Sequence, residues 1–178
     1  MNDYKIFKLL THEDHRGFFL ENYSRVINER LGLQFKQDNL SFSHTGVVRG
    51  LHYQWDKPMG KLVSVIKGSI IDYIVDIRVG SPTFGQVQRF ELNDRDRYCL
   101  WVPAGYAHGF ETLEDSYVLY KCTEFYNPNA EGSINICDPS LNICLTTDTD
   151  EAIMSDKDTI AQSFIEYIRD PKFYWSEK

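Results

Sequence analysis

The run Val48-Arg49-Gly50-Leu51-His52-Tyr53-Gln54, with Lys61 seven residues beyond it, strings a guanidinium, an imidazole and an ammonium along otherwise apolar, extended sequence. Long polar side chains are out of place there unless they face a cavity. Arginine grips phosphate, histidine takes a proton near neutral pH, and lysine stabilises the negative charge of an enolate oxygen. The set points to proton abstraction from an anionic carbonyl compound. A second constellation, Pro103-Ala104-Gly105-Tyr106-Ala107-His108-Gly109-Phe110, puts an imidazole just behind a Pro/Gly turn. That predicts His108 at the mouth or on the lining of a β-barrel.

The elements that must carry these groups are mostly short strands. Lys61–Ile66 and Ile70–Ile77, joined by Lys67-Gly68-Ser69, read as a hairpin rich in β-branched residues. Arg89–Leu92, Leu100–Val102 and Tyr117–Cys122 are further strands, with turns at Gly80-Ser81-Pro82 and Asn93-Asp94. Strand signals about every ten residues favour a sandwich or barrel. Helix signals are sparse. Val26, Ile27, Arg30 and Leu31 before Gly32 predict a short helix, and Ile160, Phe164, Ile165 and Ile168 form the stripe of a C-terminal one that Ser155 and Asp158 would cap. With no internal repeat or linker, residues 1–178 read as a single domain.

A chain of 178 residues with 42% hydrophobic composition can bury a real core. No apolar run approaches a membrane span and no signal-peptide core follows Met1, so the expected location is the cytoplasm. Cys99, Cys122, Cys137 and Cys144 lie singly among apolar neighbours and read as buried free thiols. Against 19 Lys and Arg stand 26 Asp and Glu, a net charge of −7 that argues against nucleic acid or an anionic membrane as partner. An anionic ligand needs a local basic pocket, for which Arg16, Arg49 and Lys61 are candidates.

These motifs, taken in order, resemble the cupin-fold sugar-nucleotide epimerases of the dTDP-4-dehydrorhamnose 3,5-epimerase family. The match runs through Arg16-Gly17-Phe18-Phe19-Leu20-Glu21, Gln37-Asp38-Asn39, Val48 to Gln54, Gly60-Lys61-Leu62-Val63, Ser81-Pro82-Thr83-Phe84-Gly85 and Gly105 to Phe110. It covers about residues 12 to 139 and runs weakly onward to Asp158. The resemblance implies an all-β, cupin-type jelly-roll barrel with short flanking helices, a homodimer with exchanged N-terminal strands, and neither cofactor nor metal. It also implies inversion at C3 and C5 of a nucleotide-linked 4-keto-6-deoxyhexose, in which the ketone acidifies both neighbouring carbons.

By the same resemblance His52 is the base, Asp158 the carboxylate that orients it, Lys61 the enolate stabiliser, and Tyr120 the proton donor on the opposite face, with Tyr117 the fallback. Arg16 and Arg49 would hold the diphosphate, and Glu21, Gln37, Asp38 and Asn39 would meet the nucleotide. His108 would touch the sugar, Tyr126 would stack on the base, and Glu131 and Lys157 would line the rim. Asp72 matches a family aspartate near the lysine but reads equally well as a solvent-facing strand residue, so it stays outside the catalytic set.

The chain departs from the family pattern in its last third, where tryptophans expected near Ile136 and Leu145 are absent and Thr146 replaces a proline. Three other readings stay open. A metal-dependent cupin would want a His-x-His pair, but Gln54 fills its second place. A non-catalytic sugar-nucleotide-binding cupin would keep the arginines and lose base or acid. A C3-only epimerase or 3,4-ketoisomerase would differ in product. The nucleotide, thymidine, uridine or guanosine, is likewise left open.

Overall fold

The computed structural model describes residues 3–176. Its first half contains β1 (Lys5–Lys8), β2 (Thr11–Asp14), β3 (Gly17–Leu20), α1 (Arg25–Leu31), β4 (Gln37–Ser43), β5 (Val48–Gln54), β6 (Lys61–Lys67) and β7 (Ser69–Asp76). Then come β8 (Arg78–Val79), β9 (Val87–Asn93), β10 (Tyr98–Val102), β11 (Tyr106–Thr112), β12 (Ser116–Cys122) and β13 (Glu131–Ser133). The chain closes with α2 (Asp156–Thr159), α3 (Phe164–Arg169) and β14 (Phe173–Tyr174). Two antiparallel five-stranded sheets form the body, in the orders β1-β10-β6-β12-β4 and β13-β5-β11-β7-β9. This is the all-β, cupin-type jelly roll, and among the described residues no helix is long and apolar enough to cross a membrane.

Period-two alternation assigns each strand face. Val63, Val65, Ile70, Ile74, Leu92, Leu100, Phe110 and Val118 come from both sheets and pack together as the filling of the sandwich. The odd-numbered residues of β7, Ile71, Tyr73 and Val75, point the other way and are covered by Ile134, Ile136, Leu141, Phe164 and Tyr167. With both faces covered, every residue of β7 is buried, which explains its nearly continuous apolar run. On the outside of the first sheet, Ile27 of α1 packs with Phe7, Leu62 and Trp101. Gly32 closes α1 in the left-handed conformation, as the sequence predicts, and the Ser24 side chain caps its start.

Three expectations are corrected. β6 and β7 are not a hairpin: β6 pairs with β10 and β12, while β7 pairs with β11 and β9. Gly68 alone joins them, too short a link for a two-residue hairpin turn. Its φ of +95° turns the chain from one sheet to the other, and an added Cβ would meet Ser116 Oγ at 2.3 Å. The corner's amides are satisfied elsewhere, Gly68 N–H donating to Asp94 and Ser69 N–H to Ser116 Oγ.

The C-terminal helix is two helices. Gln162 bridges to Ile134, and Ser163 with Glu166 forms its own capping box, so α3 starts afresh. Phe164 and Tyr167 form its buried face, while Ile160 is 83% exposed and Ile165 and Ile168 face outward. Of the four cysteines only Cys99 and Cys122 are buried. Cys137 and Cys144 lie in the irregular segment draped over the second sheet, which turns Ile134, Ile136 and Leu141 inward and leaves both thiols outside.

That segment delivers α2 to the site and is pinned along its length. The buried Glu111 carboxylate accepts the Tyr73 hydroxyl at 2.7 Å and the N–H groups of Thr146 and Thr147. Val48 N–H donates to Ile153 O at 3.0 Å, and Asn135 N–H to Gln162 O at 2.9 Å.

Candidate active site

At one end of the sandwich the inner face changes from apolar to polar. Arg49 and His52 on β5 and His108 on β11 come from the second sheet, and Ser41 on β4, Lys61 on β6 and Tyr120 on β12 come from the first. They line a cavity of about 240 Å³. His52, Lys61, Tyr120 and Glu131 also line an adjoining chamber of about 100 Å³ with Asn39, Met59 and Tyr126. Imidazole and phenol thus face each other from opposite sheets.

Arg49 and His52 are three residues apart, so a regular strand would aim them at opposite faces. The register of β5 against β11 resolves this. His52 pairs with His108 and Arg49 with Phe110, which inserts one extra residue into β5 and turns both side chains into the same cavity. Gly50 is the residue that permits it. Its φ is +105°, and a Cβ there would lie 2.6 Å from Gly109 Cα.

His52 Nε2 lies 2.5 Å from Asp158 Oδ1. Asp158 sits in the first turn of α2, its side chain only 4% exposed. Burial alone would raise its pKa, but the His52 bond and charge, the Ser155 hydroxyl and the Gly50 N–H together hold it below the usual carboxylate value. A carboxylate on Nε2 fixes the tautomer with the proton there, which leaves Nδ1 as the basic lone pair. Nδ1 makes no hydrogen bond to a described residue. The expected Ser155–Asp158 capping pair is present as well, the Ser155 side chain accepting the Asp158 N–H.

The Lys61 ammonium lies 5.9 Å from the centre of the Tyr120 ring. Among the described residues it forms no hydrogen bond or ion pair. Burial lowers its pKa, and the charges of Cys122, Glu131 and Asp72 work against that fall. Burial also raises the Tyr120 phenol, helped by Cys122 and opposed by its bond to Asn39 and the charge of Arg49. Tyr120 is therefore a protonated hydroxyl at neutral pH. Tyr117, the fallback donor, is on the outer face of β12 against Phe42, outside the cavity.

The rim is a connected set. Tyr126 donates its hydroxyl to Glu131 at 2.8 Å, Lys157 bonds the same carboxylate oxygen, and Gln37 accepts the Tyr126 N–H. Burial opposes ionisation of Glu131, but the Lys157 and Tyr126 bonds hold its pKa below normal. The Arg49 guanidinium is braced by Ser43 Oγ at 2.9 Å and Phe42 O at 3.2 Å.

Three candidates are not brought to the cavity within one chain. Asp38 points to the outer face of β4 and pairs with Lys121. Arg16, at the tip of the β2–β3 hairpin, pairs with Asp14 in solvent, and Glu21 follows β3 on the exposed surface. Asp72 corrects the sequence reading the other way. It is fully buried, faces inward from β7, and lies 2.8 Å from His108 Nε2. Its position four residues after Gly68, inside a nearly continuous apolar run, was the signal available.

Comparison with known proteins gives the family. The family model for dTDP-4-dehydrorhamnose 3,5-epimerase matches residues 1–166. The chain belongs to the dTDP-4-dehydrorhamnose 3,5-epimerase family. A family member from Methanothermobacter thermautotrophicus is 44% identical over 149 residues, covering 82% of this chain and 80% of its own. The dTDP-6-deoxy-D-glucose-3,5-epimerase of Legionella pneumophila Philadelphia 1, solved in complex with dTDP-4-keto-L-rhamnose, superposes with a TM-score of 0.93 at 39% identity. That match spans all of this chain and 96% of the other. A 3'-monoepimerase from Streptomyces bikiniensis in complex with dTDP-quinovose has a TM-score of 0.89 at 29% identity, over 96% of this chain and 88% of its own. The dTDP-4-dehydrorhamnose 3,5-epimerase family therefore shares its fold with an enzyme that inverts one centre, and the fold alone does not set how many are inverted.

Proposed function

We propose that this chain is an isomerase that inverts C3 and C5 of dTDP-4-dehydro-6-deoxy-D-glucose, giving dTDP-4-dehydro-L-rhamnose, through an enolate and without a cofactor. The placement of His52–Asp158 on one side of the cavity, with Lys61 and Tyr120 on the other, carries the reading. His52 takes the proton from the carbon beside the C4 ketone while Lys61 stabilises the charge that develops on O4. Return of a proton from the opposite side, by Tyr120 at C5, inverts the centre. The dTDP-linked ligands of the related solved enzymes favour thymidine as the base. Incubation of enzyme and substrate in heavy water tests it: deuterium at both C3 and C5 is expected, and no deuterium at either sinks the reading.

Because a monoepimerase shares the fold, Tyr120 rather than the architecture carries the assignment at C5. Tyr120→Phe keeps the ring beside Val118 and removes the hydroxyl. Inversion at C5 should fall by about two orders of magnitude or more while C3 exchange is reduced much less, because His52 is untouched. Equal loss at both carbons, read by NMR, would assign Tyr120 to packing.

Arg49 holds the diphosphate through its planar fork. Arg49→Lys keeps the charge and loses the fork, so calorimetry should show dTDP binding weakened by roughly 1.5 to 3 kcal/mol. Unchanged affinity would place Arg49 outside the phosphate site.

The active form is a homodimer that exchanges N-terminal strands and works in the cytoplasm. Arg16 and Glu21 are carried on and just after a hairpin that stands away from this chain's own cavity, where they would serve the neighbour's nucleotide site. Phe18, Phe19, Leu40, Phe42 and Ile66 form exposed apolar surface that a second copy would cover. Sedimentation at working concentration should give twice the 20.8 kDa chain mass.

A further inference from the structure

The inner face holds a second histidine–aspartate pair, away from Asp158. His108 and Asp72 are both buried, and His108 Nε2 lies 2.8 Å from Asp72 Oδ2. The other carboxylate oxygen, Oδ1, is buried and has no hydrogen-bond partner among the described residues. Such an orphan is costly and is kept where a charge is needed. The pair is fixed by sheet geometry, since Asp72 and His108 stand on adjacent strands, with Asp72 opposite Phe110 and His108 opposite Ile74.

We propose that Asp72 is a positioning residue of the reaction: it holds the Nε2 proton of His108, so that the nitrogen His108 can offer the cavity, Nδ1, is a hydrogen-bond acceptor for a sugar hydroxyl. An acceptor repels the keto oxygen. Lys61 is then the group left to stabilise the enolate, and His108 orients the ring through a hydroxyl. Burial keeps His108 below its usual pKa, and the charges of Lys61 and His52 add to this while Asp72 opposes it, so the imidazole is neutral at pH 7. The negative charge of Asp72 also helps keep Lys61 protonated, together with Cys122 of β12 and Glu131 of β13; Tyr120, His52, His108 and the charged Arg49 are the other titratable or charged groups lining the cavity.

The proposal rests on the epimerase reading, but its first test needs no turnover. In protein labelled with ¹⁵N-histidine, the signal lost in His108→Gln identifies His108. It should show the neutral, Nε2-protonated form at pH 7 and above. An imidazolium or an Nδ1-protonated ring there overturns the proposal, whatever the enzyme's activity. Two variants then separate the carboxylate's two effects. Asp72→Leu, nearly isosteric and set between Ile70 and Ile74, removes the acceptor. His108 should lose its single tautomer and kcat should fall about ten- to a hundredfold with KM little changed. Asp72→Asn keeps an acceptor and removes the charge. The tautomer should persist, and the high-pH limb of the kcat profile should move to lower pH as Lys61 loses its proton more readily. A fixed tautomer in Asp72→Leu, or an unmoved limb in Asp72→Asn, overturns the corresponding half. Should Asp72→Leu not fold, the spectrum of the parent protein still decides.

Discussion

His52→Ala is expected to slow deuterium incorporation at C3 and at C5 together, by about two to four orders of magnitude. Both centres lie beside the same ketone and face the same base, so both depend on one imidazole. Removal of the ring leaves Asp158 buried, but the carboxylate keeps the Ser155 hydroxyl and the Gly50 N–H. The fold should persist, with a lower melting temperature. The diphosphate contacts lie on Arg49, whose guanidinium is braced by Ser43 and Phe42 rather than by His52, so dTDP affinity by calorimetry should change little. Unimpaired exchange in this variant would remove His52 from the chemistry and shift attention to His108, the other imidazole of the cavity.

Lys61→Met should lower kcat by about two to three orders of magnitude, the cost of removing one donor aimed at a developing oxyanion. Methionine keeps the length and apolar stem of the lysine and removes only the charge. Among the described residues the ammonium has no ion pair to break, so the loss should appear in kcat with nucleotide binding and thermal stability nearly intact. Burial already disfavours its charged form, so the methionine variant should be at least as stable as the parent. A variant with normal kcat and weakened dTDP binding would make Lys61 a phosphate ligand. A variant with lost stability would make it structural.

Much of this was legible in the sequence because it depends on residue type and short spacing. Alternation of apolar and polar residues marked the strands, Gly32 marked the end of α1, and residue order alone carried the likeness of Arg49, His52 and Lys61 to known epimerases. Short-range signals do not encode which strand lies beside which. The segment around Gly68 has hairpin spacing, yet the corner amides bond to Asp94 and Ser116, residues far along the chain, and the two strands part into different sheets. The same limit applies at the site. A spacing of three on a strand argues against Arg49 and His52 sharing a face, and only the extra residue in the β5–β11 register, made possible by Gly50 against Gly109, reconciles them. Asp72 reads as an ordinary strand acid until β11 brings His108 to it. Asp158 lies 106 residues from the imidazole it touches. The sequence by itself determined the chemical groups and the strands that carry them. Their meeting in one cavity was decided by the tertiary structure, because hydrogen-bonded register and the crossing between sheets are set by partners distant in the chain.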